Sequence, residues 1–204
     1  MTLNKQILLL EKLSNKKVIL EDNEDTIFKP THLTDNRQEK YKQKIFKLLQ
    51  QEVVEDDLNL NGLDFITDLG NVKLVKGDLW LQNTLITSLP EGLKVKGYLG
   101  LSNTPITSLP EGLVVKGSLD LSNTPITSLP AGLKVEGNLY LYNTSITNLP
   151  EGLVVKESLN LENTKITSLP EGLVVKGYLN LLYTPISQNP KLLEKYKKIY
   201  KIIL

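Results

Sequence analysis

From residue 58 onward the leucines fall in pairs separated by one position, and the pair returns every twenty residues. The copies read GDLWLQNTLITSLPEGLKVK from Gly77, GYLGLSNTPITSLPEGLVVK from Gly97, GSLDLSNTPITSLPAGLKVE from Gly117, GNLYLYNTSITNLPEGLVVK from Gly137 and ESLNLENTKITSLPEGLVVK from Glu157. GYLNLLYTPIS from Gly177 closes the series, and a weaker copy from Asp57 opens it, with a step of twenty-one residues from Leu58 to Leu79. The Leu-x-Leu pair alternates with the period of a strand, so Leu99 and Leu101 face one way while Tyr98, Gly100 and Ser102 face the other. Each copy therefore predicts one short strand. Pro110 and Gly112 exclude a long helix from the return path, which is expected to be extended or 3₁₀. Units stacked at about 4.8 Å per strand give a solenoid with a parallel sheet of six to seven strands, roughly 30 Å long, over a column of leucines.

The flanks change rhythm from two to 3.6. At the C-terminal end Asn189 is an expected N-cap with Pro190 in the first turn. Leu192, Leu193, Tyr196, Ile199, Tyr200 and Ile203 form one apolar stripe of a capping helix over 190–204. Its lysines 191, 195, 197, 198 and 201 read first as a solvated face and second as a basic surface for a partner. Toward the N-terminus two helical patterns, Leu3–Leu13 and Asn36–Val53, flank a short strand at Lys16–Leu20 and a polar loop over 21–33. Thr34 or Asp35 is the expected cap of the second helix, whose Tyr41, Ile45, Leu48 and Leu49 should cover the first coil. The first helix either packs beside the second or serves as a docking element. The expected organisation is a helical cap over 1–57, a repeat solenoid over 58–189 and a capping helix over 190–204.

Units of the form L-x-L-x-N-T-x-I-T-S-L-P-E-G-L resemble the twenty-residue bacterial leucine-rich repeat with its Leu-Pro turn, found in secreted effectors of Gram-negative pathogens and in tailed-phage proteins. The resemblance covers about residues 58 to 189 and implies a leucine-rich-repeat-like solenoid that acts as a protein-binding module. Two features depart from that pattern. An Asn-Thr pair (Asn103 and Thr104, for example) stands where a single inward Asn is common, which leaves open which of the two turns inward. A Val such as Val95 or Val115 replaces the usual leucine before the strand, which implies flatter curvature. The opening QILLLEKLSNKKVILED is similar to leaders of small tailed-phage proteins, which implies a phage or its bacterial host as the source but no role. Taken with the repeat's resemblance and the chemistries excluded below, the expectation is a phage accessory protein that captures or inhibits a host protein. The effectors' ubiquitin-ligase activity is not implied, because its cysteine is missing.

Composition narrows the chemistry. The 204 residues contain no Cys, one His (His32) and one Trp (Trp80), which removes thiol nucleophiles, disulfides, zinc clusters and imidazole triads. Lys plus Arg total 24 against Asp plus Glu 23, so no global field draws the chain to nucleic acid or an anionic membrane. No carboxylate pair recurs with the partner that acid and base catalysis needs, and no glycine-rich phosphate loop is present. A non-enzymatic, cytoplasmic protein without cofactor or metal is the expectation.

What varies from coil to coil lies between and beside the leucines. Trp80, Tyr98, Tyr140, Tyr142 and Tyr178 concentrate there with Asp120 and Glu162, and these seven are the candidate partner-binding residues. Aromatics bury much area at low entropic cost and dominate protein hot spots, although they also favour strands for plain packing reasons. The two acids suit a partner carrying Arg or Lys. Lys76, Lys96, Lys116, Lys156 and Lys176 form a column broken by Glu136, which makes polyanion binding a weaker alternative, since Glu91, Glu111, Glu151 and Glu171 form an opposing one. The other alternative is a self-associating assembly or virion component.

Overall fold

The computed structural model describes residues 35–204; the helix expected at Leu3–Leu13, the strand at Lys16–Leu20 and the 21–33 loop with His32 lie outside the described residues. Helix α1 spans Asp35–Leu48, and each coil after it contributes two short strands. In chain order these are β1 (Val53–Val54) and β2 (Leu58–Asn59), β3 (Leu74–Val75) and β4 (Leu79–Trp80), β5 (Lys94–Val95) and β6 (Leu99–Gly100), then β7 (Val114–Val115) and β8 (Leu119–Asp120). They continue with β9 (Lys134–Val135) and β10 (Leu139–Tyr140), β11 (Val154–Val155) and β12 (Leu159–Asn160), and β13 (Val174–Val175) and β14 (Tyr178–Asn180). Helix α2 (Pro190–Lys197) and strand β15 (Lys201–Ile203) end the chain.

The result is a solenoid of stacked parallel strands. The odd-numbered strands from β1 to β13 form a seven-stranded sheet, and the even-numbered ones, with β15 added at the edge beside β14, form an eight-stranded sheet. The leucine-bearing sheet is the one the repeat predicts. The second sheet occupies the return segment, where an extended or 3₁₀ path is expected and two residues per coil are too few to show an alternation. Its registration is strict, with Val95 opposite Val115 and Val115 opposite Val135, and those valines are buried while Lys94 and Lys134 point outward. β-Branched side chains fit such a pleat well.

The core is one continuous column. Leu99, Leu101, Ile106, Leu109, Leu113 and Val115 of a single coil are all buried, and their counterparts are stacked above and below. Each buried leucine stabilises the column by about 1.5–3 kcal/mol relative to exposure. Between the two sheets the coils approach closely: Gly117 N donates to Gly97 O at 3.0 Å, and a Cβ on Gly117 would lie 2.6 Å from that oxygen.

The Asn-Thr pair resolves with Thr inward. Thr84, Thr104, Thr124, Thr144, Thr164 and Thr184 are buried, and each hydroxyl donates to the carbonyl of the leucine three residues earlier, at 2.6–2.7 Å. A buried hydroxyl is thereby satisfied inside its own turn. The preceding residues, Asn83, Asn103, Asn123, Asn143 and Asn163, adopt φ of 53° to 58° and are exposed, where asparagine tolerates the left-handed region. Their amides stack outside, with Asn143 Nδ2 on Asn123 Oδ1 and Asn163 Nδ2 on Asn143 Oδ1, both at 2.8 Å.

Both ends of the column are covered. Ile45 and Leu49 bury against the first coils, with Tyr41 and Leu48 half-buried beside them, as the stripe predicts. The helix stops at Leu48 rather than Val53, because Val53 and Val54 pair with Leu74 and Val75 and open the second sheet. At the other end Asn189 caps α2, its side chain accepting from Leu192 N at 3.2 Å. Tyr196 is buried and its hydroxyl accepts from Leu169 N, while Tyr200 donates to Leu173 O. The single helix expected over 190–204 is corrected: it ends at Lys197, and Lys201–Ile203 pairs with β14. The last residues, rich in isoleucine, satisfy the open edge of β14 instead. Ile199 and Ile203, assigned to the buried stripe, are 62% and 43% exposed.

Candidate functional site

Leu79 and Leu81 are buried, so the residues between and beside the leucines form the outer face of the larger sheet. Strand register places Trp80, Gly100, Asp120, Tyr140, Asn160 and Asn180 in one column across six coils. Three of the seven candidates, Trp80, Asp120 and Tyr140, lie in this column, and Tyr98 joins them from the position before its leucine.

Tyr98 is the hinge of that group. Its hydroxyl accepts from Gln82 Nε2 at 3.0 Å in the preceding coil and donates to Asp120 Oδ2 at 3.3 Å in the following one. Gly100 makes this reach possible, because a Cβ there would lie 2.6 Å from Tyr98 Cε1 and would also collide with the Gln82 amide. The Trp80 ring stands 6.5 Å from that of Tyr98, tilted by 49°. Asp120 is fixed from its other side, its Oδ1 accepting from Ser122 N at 2.9 Å. Tyr140 is the register neighbour of Asp120 in the next coil. Burial first, and the Asp120 charge second, push the Tyr98 phenol well above the ordinary tyrosine range, only partly offset by the Gln82 hydrogen bond. Ionising Tyr98 would set a second anion against Asp120 in a half-buried setting.

The other candidates are spread along the face. Tyr142 is half-buried two residues beyond Tyr140, across the buried Leu141. Glu162 lies two coils beyond Asp120, its backbone N–H donating to Asn160 Oδ1 and its Oε2 accepting from Asn180 Nδ2 at 3.1 Å. Tyr178, in the last repeat, is 55% exposed and stands apart from the central group. Tyr183 falls off the face altogether. It takes the asparagine position of its coil, with φ of 57° and 70% exposure, in a shallow groove with Asn163 and Gln188.

The positions just before the leucine pair do a different job from the one their variability suggests. Side-chain oxygens of Asp57, Asp78, Ser118, Asn138 and Ser158 each accept the backbone N–H of the equivalent residue one coil on, at 2.7–3.0 Å. This column ties coil to coil, and only Tyr98 and Tyr178 in it offer rings outward. Gln82 and Gly100 are the residues a reading of single coils overlooks. Their part depends on which side chains meet across coils, and only the register gives that.

The lysine column runs along the short corner between the sheets and is largely neutralised. Lys76 pairs with Glu55 at 2.8 Å, and Glu136 bridges Lys116 at 2.7 Å and Lys156 at 3.4 Å. Hydrogen bonds from Lys116 and then Lys156 hold the Glu136 carboxyl below its ordinary range. Among the described residues no three His, Cys, Asp or Glu side chains gather as a metal site, and no helix is long and apolar enough to cross a membrane. Comparison with the models of known protein families gives no match, and comparison with curated proteins gives none.

Proposed function

We propose that the protein is a non-enzymatic binding module that holds a protein partner on the outer face of its larger sheet, by occlusion or scaffolding. The observation that carries this reading is the Trp80–Tyr98–Asp120 group with Tyr140 beside it. The Tyr98 ring is held in place by hydrogen bonds to Gln82 and Asp120 instead of being free to reorient, and the Trp80 ring of the preceding coil stands 6.5 Å from it. Ordered aromatics lose little entropy on association, which is what an interface hot spot requires. A phage accessory protein that captures or inhibits a host protein fits the same reading, in line with the repeat's resemblance.

Capture from host lysate by wild type and by a Trp80→Ala, Tyr140→Ala, Tyr142→Ala variant, its fold checked by circular dichroism, tests the proposal. The expected result is a partner retained by wild type and lost by the folded variant. Equal capture by both contradicts it.

Self-assembly is the second reading, favoured by one observation. At the C-terminal end β13 and β15 are edge strands, with Val174, Ile203 and the nearby Ile199 exposed. Concentration-dependent mass in solution, abolished by Ile203→Lys, would support that reading over capture.

A further inference from the structure

The outer face of the larger sheet is acidic from β2 to β14, with one lysine, Lys201, at its β15 edge in register with Tyr178. From β2 to β14 its charged positions are Asp57, Asp78, Asp120 and Glu162, and none of the residues between and beside the leucines is Lys, Arg or His. Asp57 and Asp78 have their oxygens engaged by backbone N–H groups of the next coil. Asp120 differs from them. Both its oxygens are oriented, one by Ser122 N and one by the Tyr98 hydroxyl, yet every ion pair among the described residues lies elsewhere. A carboxylate has about four lone-pair sites, so two remain to be filled.

Building on the interface reading above, we infer that the centre of this face takes an arginine side chain of the partner, its guanidinium set against the Asp120 carboxylate and over the neighbouring Tyr140 ring. Three features select guanidinium over ammonium. The carboxylate is fixed in direction, which suits a planar fork that donates two parallel hydrogen bonds. Aromatic rings border it on both sides in the sheet, Tyr98 reaching from the preceding coil and Tyr140 standing in the next, and a guanidinium can stack on a ring face while it pairs. The setting is half-buried, which favours the more weakly hydrated cation. Beside the face, the corner lysine Lys96 disfavours a basic segment and leaves the midline as its attractive track. Glu162, about 10 Å farther along by strand spacing, offers the same segment a second carboxylate.

The test uses the whole chain and its only tryptophan, Trp80, as a reporter on the face itself. Nona-arginine and nona-lysine peptides are titrated separately while Trp80 fluorescence is followed. The expected result is saturable binding of nona-arginine, several-fold tighter than nona-lysine. Asp120→Asn, which removes the charge but keeps one acceptor oxygen for Ser122 N and an amide that can donate to the Tyr98 hydroxyl, should weaken it about ten-fold, the size of one lost charge-assisted hydrogen bond. Glu111→Gln, an exposed acid on the far turn, should leave it unchanged. Tyr140→Phe should bind as wild type and Tyr140→Leu should not, which separates a stacking role from a packing one. Equal binding of the two peptides, or undiminished binding by a folded Asp120→Asn variant, overturns the inference. If a captured partner is lost by the Trp80, Tyr140 and Tyr142 variant but tolerates Asp120→Asn, the arginine assignment fails and the interface stands. If that partner is retained by the triple variant, the interface reading fails with it.

Discussion

Tyr98 donates its hydroxyl to the Asp120 carboxylate across one coil boundary, at 3.3 Å, and passes over Gly100 to do so. An aromatic ring and an acid on different repeats are thereby fixed relative to each other. The outer face consequently has a defined centre, although each of its repeats is nearly the same.

Gly100→Ala should break that relationship. The new methyl occupies the space of the Tyr98 ring edge and the Gln82 amide, so both side chains must swing away. The expected cost is about 1–3 kcal/mol of stability, two hydrogen bonds net, read as a fall in the denaturation midpoint. Partner binding should fall much further than stability. An unchanged affinity would remove Tyr98 from the account.

The Tyr98 phenol should resist alkali. Its folded pKa is raised, by burial first and by Asp120 next, whereas unfolded tyrosine ionises near pH 10. The sign follows: stability linked to this group is full below about pH 10 and falls as pH rises from there, because the unfolded chain releases the proton first. Ultraviolet titration should show one tyrosine ionising after the others, and Asp120→Asn should bring it down toward them.

Glu136→Lys should lower thermal stability at low salt and recover much of it at high salt. The substitution replaces a bridge between Lys116 and Lys156 with a third like charge in an exposed row. A melting temperature indifferent to salt would contradict this.

Tyr183→Asn should stabilise the protein although it removes a large side chain. Tyr183 is the sole described residue other than Asn and Gly with φ in the left-handed region, and its ring is mostly exposed, so little packing is lost. The relief of backbone strain is worth about 1 kcal/mol, and the new amide can extend the stack from Asn163. A lower denaturation midpoint would show that the ring packs more than its exposure suggests.

The solenoid was legible because a twenty-residue period with paired leucines leaves little choice of core, and α1's stripe and Asn189's cap follow from local patterns. Other features depended on neighbours. The second sheet rests on two residues per coil, visible only once Val95, Val115 and Val135 stack. The strand at Lys201–Ile203 owes its form to the open edge of β14, which no helical stripe in its own residues reveals. On the face, Trp80 and the tyrosines stand out by type, whereas the roles of Gln82, Gly100 and the tying column from Asp57 to Ser158 arise from contacts between coils.

Oxidative footprinting of aromatic side chains, with and without the partner captured by wild type, tests the central claim most directly. The account predicts protection of Trp80, Tyr140, Tyr142 and Tyr178 on the outer face, with Tyr183, exposed off that face, oxidised equally in both states. Protection of Tyr183 or Tyr200 with an unchanged Trp80 would contradict it and place the partner elsewhere on the solenoid.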